Sequence, residues 1–150
     1  MRIPTIEELK EINKLSNQIH KIHVKWRPDL YEDVLDIFFL EELKGLIEKE
    51  EILITEIDGD IVGYIVFSIT ERNKKGFFNR KILMIDSICV DEKVRGNGIG
   101  KRMIEYLLDK ARELLCTDVE LTVSQENEYA IRLYESLGMK VKNIKYQMKI

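Results

Sequence analysis

The stretch "KILMIDSICVDEKVRGNGIGKRMIEYLLDKAREL", Lys81 to Leu114, constrains this chain more than any other. An apolar run of strand character leads into glycines at alternate positions, Gly96, Gly98 and Gly100, and an amphipathic run follows at once. A strand, a turn and a helix in immediate succession form half of a crossover unit, so the chain must build a mixed α/β sheet. Glycines let successive backbone N–H groups turn inward with no Cβ in the way. The positive end of the following helix faces the same point. Such a turn suits a phosphate. A tight strand-to-helix turn without a ligand would need one glycine; three, with Arg95 and Lys101 beside them, favour the ligand.

The rest of the chain fits around that unit. Thr5 and Glu8 form a capping-box pattern, and Ile6, Leu9, Ile12, Leu15, Ile19 and Ile22 recur at helical spacing to about Val24. Pro28 ends that helix, and a second helix is predicted over roughly Val34 to Glu50. "EILITEI", the turn "DGD" and "IVGYIVFSIT" read as a hairpin, with "ERNKKGFFNR" as the polar tip of the next one. After the glycine turn and a helix to about Leu115 come a strand in "TDVELTV", a helix ended by Gly138, and "MKVKNIKYQMKI" as a closing strand or strand pair. No linker, repeat or low-complexity tract interrupts this order, so one domain over residues 1–150 is expected.

Composition narrows the function classes. A net charge of −3 supplies no basic field for nucleic acid or an anionic membrane. No signal-peptide pattern opens the chain and no apolar run is long enough to span a bilayer, so a cytoplasmic location is the default expectation. Cys89 and Cys116 stand apart from each other and from the histidines, which indicates neither a metal site nor a disulfide framework.

Spacing excludes two familiar phosphate loops. A Walker loop needs Ser or Thr after Gly-Lys, but Arg102 follows Lys101 and Arg95 stands where its first glycine belongs. A dinucleotide fingerprint started at Gly96 or Gly98 meets Lys101 or Met103 in place of its third glycine. What remains is Arg95-x-x-Gly98-x-Gly100 between a strand and a helix. In this pattern the chain resembles the GNAT superfamily of N-acetyltransferases. The likeness extends through "MIDSICVDEKVRGNGIGKRMIEYLLDKAREL" and "VELTVSQENEYAIRLYESLGM", about Leu83 to Met139.

The resemblance implies a central, mostly antiparallel sheet with flanking helices and a strand–loop–helix site for acetyl-CoA. The pyrophosphate would lie on Arg95, Gly96, Asn97, Gly98, Ile99, Gly100 and Lys101. The pantetheine arm would pair with the backbone of Ile88, Cys89 and Val90 and reach Asn127, although Asn127 is also a good helix N-cap. Tyr134 matches the family's tyrosine beside the departing sulfur and would serve as general acid; otherwise it is a core tyrosine packing on Leu133 and Leu137. Helical spacing puts Asn127, Ala130 and Tyr134 on one face.

Asp86 is the lone charge in "ILMIDSICV". Alternation sets it on one face with Met84 and Ile88, with Ile85 and Ser87 opposite, and burial there would raise its pKa toward that of a useful base. It matches a position where some relatives carry an acidic proton acceptor. The competing reading is a structural aspartate paired with a base such as Arg80.

Relatives that acetylate ribosomal-protein N-termini carry a glutamate five residues before the motif asparagine. Here that position is Thr122, which argues against that subgroup. For the acceptor, His23, Trp26, Tyr31 and Phe77 are candidate wall residues, with His23 a second possible proton acceptor. The resemblance thus implies direct acetyl transfer from acetyl-CoA to the primary amine of a small molecule or peptide. It also implies a possible homodimer. A non-catalytic acetyl-CoA-binding module is the rival reading, and Cys89 as a nucleophile the rival mechanism.

Overall fold

The computed structural model describes residues 1–150. After a 3₁₀ turn at Ile6–Glu8 come α1 (Leu9–Trp26), α2 (Leu40–Glu48), β1 (Ile52–Ile57), β2 (Asp60–Arg72) and β3 (Arg80–Val90). A second 3₁₀ turn, Glu92–Val94, leads to α3 (Ile99–Glu113), β4 (Asp118–Leu121) and α4 (Glu128–Ser136). The strands lie in the order β1-β2-β3-β4; the first three are antiparallel and β4 runs parallel to β3. The mixed sheet expected from the strand–turn–helix unit is present, with α3 as its crossover.

Each face of the sheet carries its own core. Ile12, Leu15, Phe38 and Leu43 cover Ile52, Ile54, Tyr64, Val66 and Cys89 on one side. Ile99, Met103, Ile104 and Leu107 of α3 cover Leu53, Ile65, Phe67, Leu83 and Ile85 on the other. The period of two along β1 and β2 therefore reads both layers, because each strand is buried on both faces.

Three expectations need correction. Helix α2 starts at Leu40 and not near Val34, because the buried Asn13 side chain holds both the N–H and the C=O of Phe38 at 2.9 Å. With its backbone groups taken from across the core, Phe38 stays outside the helix. The last twelve residues form no strand: Met139–Ile150 carry no regular structure, and side-chain bonds from Lys142 to Glu120 and from Arg27 to Gln147 tether them instead. Alternation such as "IKYQMKI" specifies the two faces of a strand but supplies no partner edge. No helix is long and apolar enough to cross a membrane.

The third correction positions the site. In the β2–β3 ladder Val66 faces Ser87 and Phe67 faces Ile85, so Asp86 is the extra residue of a β-bulge. The bulge resets the alternation: Ile88 packs against the same cluster as Ile85, not on the opposite face. It also falls where β4 ends, since Leu121, opposite Ile85, is the last paired residue. Beyond it β3 runs on to Val90 with β2 on one side and no strand on the other. The sheet opens there.

Candidate active site

Residues 86–90 of β3 form one side of this opening. Asp91 N–H donates to Val62 C=O at 2.8 Å, so residues 62 and 91 are a hydrogen-bonded pair, and by alternation so are Tyr64 and Cys89. The backbone groups of Ile88 and Val90 consequently point away from β2, into the opening. Those of Cys89 are committed to Tyr64, which removes it from the expected set of backbone partners. The Val90 carbonyl accepts a hydrogen bond from Arg95 Nε at 2.8 Å.

The glycine turn closes one end. Gly96 and Gly98 have φ of +84° and +73°, and Gly98 is the N-cap of α3. A Cβ on Gly98 would lie 3.3 Å from Arg102 Nη1, which donates to Asn97 C=O at 3.1 Å. Gly100 differs: it lies in the helix, and a Cβ there would meet Leu133 and Val90 at ordinary contact distances of 3.6 and 3.7 Å. The first turn of α3 directs its unpaired N–H groups and positive dipole end at the same place.

Helix α4 forms the opposite wall. Asn127 caps it, its side-chain oxygen accepting from Ala130 N–H at 3.1 Å, which leaves its NH₂ to the opening. Asn127, Ala130, Leu133 and Tyr134 all line one cavity of about 310 Å³ with Ile88, Val90 and the glycine turn. Burial pushes the Tyr134 phenol above its ordinary pKa, so it holds its proton through neutral pH. A neutral phenol in an apolar wall is a proton donor by default.

Helix α1 supplies the residues that sequence reasoning missed. Ile19 and Ile22 line the cavity beside Trp26, although their periodicity reads simply as a core stripe. Tyr129 and Leu133 were likewise not singled out; position on α4 beside Asn127 and Tyr134 was the available signal.

The other candidates are distributed unevenly. Asp86 is exposed and not on a buried face, and Arg80 is bonded to Asp118 and Glu120, both at 2.7 Å, and not to Asp86. Glu120 is engaged by Lys142 as well, which holds its carboxyl below the usual range. His23 lies with its ring 6.0 Å from Trp26 and 5.2 Å from Tyr31. Burial, and secondarily the nearby His20, lowers its pKa, so His23 is neutral at pH 7. Phe77 sits at the β2–β3 tip, 70% exposed under Lys74, and does not reach the cavity.

Cys89 is unsuited to nucleophilic work. Its Sγ–H donates to Leu15 C=O at 3.2 Å, and burial pushes the thiol up to about 12 despite the nearby Arg95. We expect Cys89→Ala to retain turnover and native protein to resist iodoacetamide at Cys89 at pH 7.5. Abolished turnover in a folded, cofactor-binding Cys89→Ala protein would reinstate the acyl-enzyme route.

The observed frame fits coenzyme A. Outward-facing amides of Ile88 and Val90 match the amide-bearing pantetheine arm, the positive-φ turn at a helix N-terminus matches a pyrophosphate, and the apolar wall ends at a phenol. An arrangement of this kind suits a protein of the acyltransferase class.

Comparison with known proteins agrees. The profile of the acetyltransferase (GNAT) family matches residues 10–139, and the chain belongs to that family. Spermine/spermidine N(1)-acetyltransferase of Bacillus subtilis is 33% identical over 86 residues, 54% of this chain and 53% of that protein. The L-amino acid N-acetyltransferase AaaT of Escherichia coli is 28% identical over 90 residues. The chain spans about half the length of these curated relatives. Among solved structures, a tetramutant of the BH1408 protein of Bacillus halodurans has a TM-score of 0.93 at 27% identity, covering 99% of this chain and 98% of that one. The aminoglycoside N-acetyltransferase AAC(6')-Iy, solved in complex with CoA, shares the fold with a TM-score of 0.73 at 18% identity, covering 99% of this chain and 92% of that one.

Proposed function

We propose that this chain is an acetyl-CoA-dependent N-acetyltransferase acting directly on a primary amine. The observation that carries the reading is the opening beside Asp86, where backbone groups of Ile88 and Val90 that no neighbouring strand pairs lead from the glycine turn toward Tyr134. When bound, acetyl-CoA supplies an activated acetyl group and a thiolate leaving group. The N–H groups of the turn from Arg95 to Lys101 hold its pyrophosphate, and Asn127 offers its NH₂ to the pantetheine arm. Tyr134 gives its phenolic proton to the sulfur as the carbon–sulfur bond breaks and the carbon–nitrogen bond forms.

The amine must lose a proton to react. Two groups can accept it. Asp86 does so through solvent, to which it is open; His23, outside the cavity lining, does so as a neutral imidazole packed behind Trp26, which lines it. Trp26, which lines the cavity, offers a ring to a cationic acceptor, with Tyr31 packed on His23 behind it. The segment after Trp26 adds Glu32 and Asp33, with Asp29 held by Arg27, and these two acidic residues favour an acceptor with more than one positive charge. Polyamines, the substrates of the Bacillus subtilis relative, have that character.

Calorimetry with acetyl-CoA and a thiol-release assay over spermidine, amino acids, an aminoglycoside and N-terminal peptides test the reading. Binding with turnover, greatest for the polyvalent amine, is the expected result. Binding without turnover on any amine would favour the sensor module. Absence of binding by folded protein would overturn the assignment.

A further inference from the structure

We infer that Gln18, a residue of α1 outside the cavity, positions the cofactor turn and so controls acetyl-CoA affinity. The inference rests on the cavity being the cofactor site. Gln18 Oε1 accepts the Glu92 N–H at 2.9 Å, and its Nε2 donates to Asp91 Oδ1 at 3.4 Å. The same Asp91 oxygen accepts the Lys93 N–H at 3.0 Å. One amide thus engages the first two residues of the segment that becomes the glycine turn.

No other side chain from outside that segment and α3 hydrogen-bonds its backbone. The backbone bond from Asp91 N–H to Val62 C=O ties the start of the segment to β2, and the remaining side-chain ties are internal: Asn97 Nδ2 to Val94 C=O, Arg95 Nε to Val90 C=O, and Arg102 Nη1 to Asn97 C=O. These shape the turn without locating it against α1. Gln18 does locate it, and the next residue, Ile19, begins the α1 wall of the cavity with Ile22 and Trp26. The Gln18 amide therefore ties the α1 wall of the cavity to the segment that leads into the glycine turn. The Glu92 N–H it satisfies opens a 3₁₀ turn, where no preceding helical carbonyl can take it.

A positioning role predicts a specific kinetic split. Gln18→Leu keeps the side-chain bulk and removes both bonds. The loss of such a bond implies a rise of about three- to tenfold in Kd and KM for acetyl-CoA. At saturating acetyl-CoA, kcat and the amine KM should stay within about twofold, because Gln18 touches neither reacting atom. Gln18→Glu keeps the acceptor for Glu92 but sets a carboxylate against Asp91, and adding Asp91→Asn should restore affinity. Hydrogen exchange gives an independent readout: the Glu92 amide should lose protection in Gln18→Leu and keep it in Gln18→Glu with Asp91→Asn.

Wild-type affinity in folded Gln18→Leu overturns the inference, as does a loss that moves kcat and both KM values together. If Gln18→Leu fails to fold, the Gln18→Glu pair decides: no rescue by Asp91→Asn counts against the bridge. A wild-type chain that takes up no acetyl-CoA would sink the cofactor reading itself, which the wild-type titration reveals before any variant is made.

Discussion

Replacing Tyr134 by Phe should lower turnover by about a hundredfold or more, the scale of a positioned general acid, and leave acetyl-CoA binding within about twofold. The ring is half-buried among Leu133, Leu137 and the α3 core, and phenylalanine preserves that packing. Only the proton is lost. Burial raises the pKa of Tyr134, so the wild-type phenol is fully protonated at neutral pH and its role does not depend on a small protonated fraction. A hundredfold corresponds to ~2.7 kcal/mol of transition-state stabilisation. Single-turnover rates at saturating acetyl-CoA, set beside calorimetric affinities, check this. A near-normal rate would return Tyr134 to the core.

The second large effect separates glycines that look alike in the sequence. Gly98→Val should weaken acetyl-CoA binding about tenfold or more, since a β-branched residue held at positive φ costs of order 1–3 kcal/mol. The backbone at φ +73° is the obstacle; the nearest atom to a Cβ, Arg102 Nη1 at 3.3 Å, ends a flexible side chain and can give way. Gly100→Ala should bind within about twofold of wild type, because its Cβ fits between Leu133 and Val90 and alanine favours the helix. Titrating both variants against acetyl-CoA, with thermal melts to verify folding, tests the contrast. Equal losses at the two positions would mean that the turn acts through something other than its left-handed backbone.

Much of the architecture was legible because it depends on local chemistry. The glycine pattern, the apolar run before it and the periodicity after it dictate strand, turn and crossover without reference to distant residues. The same locality brought Asn127, Ala130 and Tyr134 to one wall, since three- and four-residue steps on a helix determine which side chains share a face. The distinction between Gly98 and Gly100 was not legible: both are glycines, and only the dihedral at each tells which one needs to be.

What depends on pairing between distant segments was hidden. Alternation placed Asp86 on a buried face, but the bulge at that residue exposes it and resets every side chain to Val90, and a bulge appears only when β3 is registered against β2. The strand pattern of "IKYQMKI" named faces and no neighbour, and that segment stands free of the sheet. Gln18 read as one more polar residue on a helix until the fold carried it to Glu92, 74 positions away. Sequence alone determined the kind of turn and the helix it feeds, because both follow from steric freedom and spacing within a few residues. Tertiary structure alone decided where the sheet opens, since that depends on one strand ending where another acquires an extra residue.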